Sequence, residues 1–272
     1  MRRGNTESMR GLPLNPRSFL CALLVGPLGW GVSASCLAQA GALFAIPTEL
    51  KSSQALPPDS PWHIVLHSSD AVALAKILSV SPPRADATTL DYTVNGYREI
   101  SGAWGRSWLE ESFVIDFRER AVADLYAAFT KSIEGRPWTR QALVAFVASA
   151  MSVSLGSPFE IASQVARSRS GDCKEYAVLT AALARSAGVP ARVALGVVIH
   201  ERNGHYAAYG HAWAETREAG HWVVADAALE EDRGVKRYLP FGVLDDEGPG
   251  FQMSLSRLVP TSLETVTIIG TP

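Results

Sequence analysis

Residues 168–193 read SRSGDCKEYAVLTAALARSAGVPARV. Ser170-Gly171-Asp172 is a cap-forming lead-in, AVLTAALA has helical composition, and Gly188 followed by Pro190 is a stop signal. The spacing predicts a helix over Cys173–Ala187 with one cysteine in its first turn. Period-2 patterns follow: ARVALGVVIH (191–200) reads as a strand, Asn203-Gly204 as a turn, YGHAWAET (209–216) as a strand, REAG (217–220) as a four-residue turn and HWVVAD (221–226) as a strand. Helices first and an antiparallel sheet afterwards give an α+β class.

Cys173 has four readings: a buried filler, half of a disulfide, a metal ligand or a nucleophile. In a first helical turn it feels the positive end of the macrodipole and the free backbone N–H groups, which favour thiolate, the reactive form, and can hold a developing oxyanion. A buried filler suits mid-helix better than a loop–helix junction. A cysteine nucleophile needs a base, and the base an orienting group. If 217–220 form the turn, Thr216 pairs with His221, and His211 falls opposite Asp226 on one face, Cβ atoms about 4.5–5.5 Å apart. A one-residue slip would separate them. His63, His67, His200, His205 and His221 have no such partner in the pattern.

The chain has 272 residues, 47% hydrophobic and 19% charged, with a net charge of −2. That fits a globular protein with a real core and lacks the basic stripe of a nucleic-acid binder. Arg2, Arg3, Arg10 and Arg17, the apolar run Phe19–Val32 and Ala38-Gln39-Ala40 read as an export signal over 1–40. The apolar run is too short and too broken by Gly and Pro for a membrane span of about 20 residues. Four arginines and one glutamate leave with that segment, taking the charge from −2 to −5. Cys21 and Cys36 leave too, so the exported chain keeps Cys173 alone and has no internal disulfide. A lipid on Cys36 is a lesser alternative. One cysteine without a nearby His/Asp cluster does not make a zinc site.

Upstream, 41–61 reads as a linker and Asp70–Val80 as a short helix. Thr88–Ile100 reads as a hairpin around Asn95-Gly96, and Trp108–Phe117 as a strand. Ala121–Ile133 and Thr139–Met151 read as amphipathic helices. Thr265–Ile269 reads as an edge strand. The domains expected are a β-rich and helical module over 41–135 and a catalytic domain over 136–272. Asp245-Asp246-Glu247 reads as a solvated turn rather than a calcium loop, and Gln164 as a surface residue rather than an oxyanion donor.

G-D-C at a helix start, then G-V-P-A-R, G-H-A-W and W-x-x-x-D resemble the transglutaminase-like superfamily across about 159–229. The resemblance implies a papain-like core: a nucleophile-bearing helix packed on an antiparallel sheet that carries His and Asp. It implies Cys173 as nucleophile, His211 as base and Asp226 as orienting acid. It also implies acyl transfer on peptide or glutamine amides, with hydrolysis the first reading and cross-linking or a non-catalytic interaction domain the alternatives. No cofactor or metal is required, and the expected partner is a protein or peptide substrate, not nucleic acid or membrane. Lys174 after the cysteine and Ala227-Ala228 after Asp226 depart from the family's usual residues.

Overall fold

The computed structural model describes residues 45–52, 56–95, 105–156, 158–244, 247–251 and 262–272. Strands β1 (Ala45–Ile46), β2 (Thr48–Leu50) and β3 (Trp62–Ser68) lead to helix α1 (Ala71–Ile77) and strand β4 (Thr89–Val94). Helices α2 (Arg120–Ile133) and α3 (Arg140–Ala150), strand β5 (Ser152–Val153), helix α4 (Ala162–Ser168) and strand β6 (Ser170–Gly171) follow. Next come helix α5 (Cys173–Ser186) and strands β7 (Ala191–Arg202), β8 (His205–Glu218), β9 (His221–Ala225), β10 (Val235–Val243) and β11 (Leu263–Gly270). The expected α+β class is observed.

Helix α5 begins at Cys173 because its N-terminus is closed by a reciprocal cap. The Lys174 N–H donates to Asp172 Oδ1, and the Asp172 N–H donates to Glu175 Oε2 at 2.9 Å. Gly171 is required beside it, since a Cβ there would overlap the Glu175 side chain. Gly188, at φ +73°, ends the helix as expected. Its alanines (Ala177, Ala181, Ala182, Ala184) let it lie close against Ala191, Val193, Leu195, Ala212 and Ala214 of β7 and β8. Val122, Leu125 and Phe129 of α2 and Leu143, Val144 and Val147 of α3 close the same core. Arg185 fastens the far end of α5. Its guanidinium holds the Glu247 carboxylate in two bonds of 2.6 and 2.9 Å and donates to the Ala191 and Glu110 carbonyls.

The sheet under α5 runs β1-β8-β7-β10, with β9 also on β8. The β7–β8 hairpin turns at Asn203-Gly204, both at positive φ. A second sheet runs β2-β11-β3-β4.

Several expectations are corrected. The β8–β9 turn is Ala219-Gly220, two residues at φ +48° and +89°, not 217–220, and Glu218 pairs with His221. The register is therefore shifted by two. Residues 108–117 are not a strand: after a 3₁₀ turn at Arg106–Leu109, consecutive Val114 and Ile115 are both buried, held by bonds to Glu247 and from Ala162. Residues 45–50, read as linker, form β1 and β2. Strand β11 is interior rather than an edge, lying between β2 and β3. The expected leader (1–40), Gly96 with the rest of its hairpin, and Asp245-Asp246 lie outside the described residues. Glu247 is no solvated turn residue, since it pairs with the buried Arg185.

Candidate active site

Strand β8 carries His211 where its outer edge is unpaired among the described residues. Strand β1 pairs with Ala208 and Tyr209, and β9 pairs with residues 214–218, which leaves 210–213 without a strand on that side. Alternation sends Tyr209, His211 and Trp213 to the face away from α5, while Ala212 and Ala214 pack under the helix.

Asp226 is the first residue past β9. With the observed register it sits diagonal to His211 rather than opposite. A two-residue shift keeps both on one face, and the His211 Nε2–H donates to Asp226 Oδ2 at 2.8 Å. The Tyr238 hydroxyl on β10 donates to the same oxygen at 2.8 Å, and the Ala228 and Leu229 N–H groups donate to Oδ1 at 3.1 and 3.3 Å. These last two bonds make an Asx-type turn that ends the strand at Ala225. Alanines at 227 and 228 suit that turn, the Ala228 N–H being one of its donors.

The bond to Asp226 uses Nε2 and leaves Nδ1 buried with no hydrogen bond of its own. The Cys173 side chain acts on the ring both as a hydrogen-bonding neighbour and as a charge. Burial drives the imidazole towards the neutral form. The Asp226 charge and hydrogen bond, with the Cys173 side chain, outweigh it and lift the pKa from 6.5 to about 10. Burial likewise drives Asp226 upward, but His211, Tyr238 and the Leu229 N–H outweigh it, and the carboxyl stands below its ordinary range. Trp213 stacks on the imidazole at 6.1 Å and 22°, and Tyr209 meets it edge-on at 6.1 Å and 82°. This low-dielectric surround strengthens the His–Asp pair.

Cys173 and His211 are 0% exposed and Asp226 is 9% exposed. Cys173 is thus fully buried although it opens the helix at a loop–helix junction. Lys174 pairs with Asp172 in a nearly buried ion pair, so its charge is used at the cap beside the thiol rather than presented outward. Glu175 is buried; desolvation raises its pKa to about 7, against the Asp172 N–H and the Lys174 charge.

The other expected positions lie apart. Gln164 is exposed on α4. His200 donates to Asp232 and His63 to Asp91, His67 is hydrogen-bonded to the Thr267 hydroxyl, and His205 and His221 are exposed. Among the described residues no cluster of three or more His, Cys, Asp or Glu is placed to hold a metal, and no helix is long and apolar enough to cross a membrane. Sequence reasoning missed Tyr238, which carries no local signal, and Tyr209, which period-2 counting from His211 puts on the same face.

Residues 127–227 match the family model described as the Transglutaminase-like superfamily. No curated protein matches the chain. Among solved structures, a candidate cysteine protease from Cytophaga hutchinsonii is similar at 14% identity and TM-score 0.41, covering 84% of this chain and 83% of that one. The periplasmic domain of TgpA from Pseudomonas aeruginosa, bound to ethylmercury, is similar at 18% identity and TM-score 0.36, covering 55% of this chain and 59% of that one. A second structure of that domain gives 19% and 0.35, covering 55% and 57%. The matched segment runs from the middle of α2 to the residue after Asp226 and contains Cys173, His211 and Asp226, and over it the chain is similar to the transglutaminase-like superfamily.

Proposed function

We propose that this protein is a thiol acyl-transfer enzyme acting on peptide or glutamine amides, with Cys173 as nucleophile, His211 as acid–base and Asp226 as the residue that orients and charges the imidazole. The observation that carries the reading is the His211 ring, bound to Asp226 through Nε2, with its Nδ1 buried and unbonded and the Cys173 side chain acting on it. The Cys173 sulfur attacks the carbonyl carbon and the carbonyl electron pair moves onto oxygen. As the intermediate collapses, the C–N bond breaks, His211 gives its proton to the leaving nitrogen, and a thioester remains. Water, giving a proton to His211, then attacks the thioester carbon, and the C–S bond breaks to release the acid and the Cys173 thiolate, with His211 protonated again. The cap uses the N–H groups of Asp172 and Lys174, and the Cys173 N–H beside them is a donor for the oxyanion.

Water is the preferred acceptor because, among the described residues, no feature is dedicated to a second, amine substrate. Complete burial of Cys173 favours a second reading, a binding domain that retains the fold without turnover. The two separate on a panel of peptide amides and glutamine donors, with and without an added primary amine. Wild type should release acid or ammonia, and Cys173→Ala and His211→Ala should not. Equal release by wild type and Cys173→Ala sinks the enzyme reading, and amine incorporation in preference to hydrolysis replaces hydrolysis by cross-linking. Export rests on the basic leader, apolar run and Ala-Gln-Ala. The exported form should begin near Gly41, and an intact N-terminus on cytosolic protein would overturn this part.

A further inference from the structure

We propose that the Tyr209 hydroxyl is a donor to the oxyanion formed at Cys173, an inference that rests on the acyl-transfer reading above. A buried amide oxyanion needs more than one N–H to replace the water it loses. The Cys173 N–H is one donor. Gln164, the side chain that spacing offers for the second, is exposed on α4.

Tyr209 is 2% exposed, and its hydroxyl is buried with no hydrogen-bond partner. A buried hydroxyl without a partner costs stability and calls for an explanation. Its ring lies edge-on to His211, two residues away on the same face of β8. Negative charge at Asp226, Asp232 and Cys173 acts on it. Two of these already have their donors. Asp226 accepts from His211, Tyr238, Ala228 and Leu229. Asp232 accepts from the Gly234 N–H and is bonded to His200. The acceptor left for Tyr209 is the charge that develops during reaction at the third. Burial, more than those charges, holds the phenol proton far above any working pH, so the group stays a donor throughout. In the attack the carbonyl pair moves to oxygen, Tyr209 hydrogen-bonds it without giving up its proton, and the pair returns when the C–N bond breaks.

The test compares two reactions of the same thiol in the full chain. 4-Nitrophenyl acetate acylates through a tetrahedral oxyanion, and iodoacetamide alkylates without one. Both need the same access to Cys173. Tyr209→Phe should slow acylation by about 100-fold, the usual loss for one oxyanion donor, and leave alkylation within about twofold of wild type. It should melt no lower than wild type, since it removes a hydroxyl that has no partner at rest. Unchanged acylation, or acylation and alkylation slowed by the same factor, overturns the proposal and leaves the acyl-transfer reading standing. A lower melting temperature also overturns it, because the hydroxyl would then have a resting partner. Wild type that is not acylated at Cys173, or is acylated no more than Cys173→Ala, overturns both.

Discussion

At the level of single residues the site depends on one contest, burial against Asp226, for the His211 proton. Burial alone would leave a neutral ring, and Asp226 reverses this to a pKa of about 10. If His211 is the acid proposed above, it is present until the pH approaches 10, and the alkaline limb of kcat/KM should lie there. Asp226→Asn keeps the shape and removes the charge. Its alkaline limb should move down by more than one pH unit, and kcat should fall by about 100-fold or more, on the scale of general acid–base help. A limb that stays in place shows that His211 is not the group titrating. Cys173 was legible in the sequence because its neighbours announce a helix cap. His211 and Asp226 were legible because alternation puts both on one face. The complete burial of the thiol was not, since it depends on what covers the α5 N-terminus, and no local pattern records that.

Elements explain why the pairing was found although its register was misread. Arg-Glu-Ala-Gly reads as a four-residue turn because Gly220 alone signals one. The turn is Ala219-Gly220, with an alanine held at φ +48°, a conformation alanine disfavours and asparagine accepts. The error of two residues kept the face, because the side-chain period of a strand is two. Ala219→Asn should restore the usual residue pair for this turn, already used at Asn203-Gly204, and raise stability by about 0.5–1 kcal/mol, read as a higher urea midpoint at unchanged slope. No gain would mean that the two-residue turn is not what sets this register. Strand β1 was illegible for another reason: two residues carry no period. Yet β1 and β9 pair with β8 on either side of His211, so an element too short to read helps to frame the site.

The whole molecule feels the buried pair as a pH dependence of stability. The His211 ring holds its proton more tightly folded, at about 10, than at its ordinary 6.5. Its contribution is therefore complete below pH 6.5, shrinks as pH rises and is gone above about 10. Asp226, lowered from 3.8, contributes fully above that value and loses its contribution as pH falls below it. The pair stabilises most between about pH 4 and 6.5. Glu175, raised from 4.5 to about 7, has the same sign as His211 but has finished changing above that pH. From about pH 7.5 to 9.5, then, wild type should lose up to about 1.4 kcal/mol per pH unit, the value of one proton. In Asp226→Asn the largest raising influence is gone and only the Cys173 side chain still opposes burial, so this loss should be much smaller. Subtracting the two urea-denaturation series cancels every group they share, including Tyr209 and Tyr238, which titrate higher still. Parallel series would mean that the imidazole is not held charged by Asp226, and the acid step assigned to it would have to come from another group.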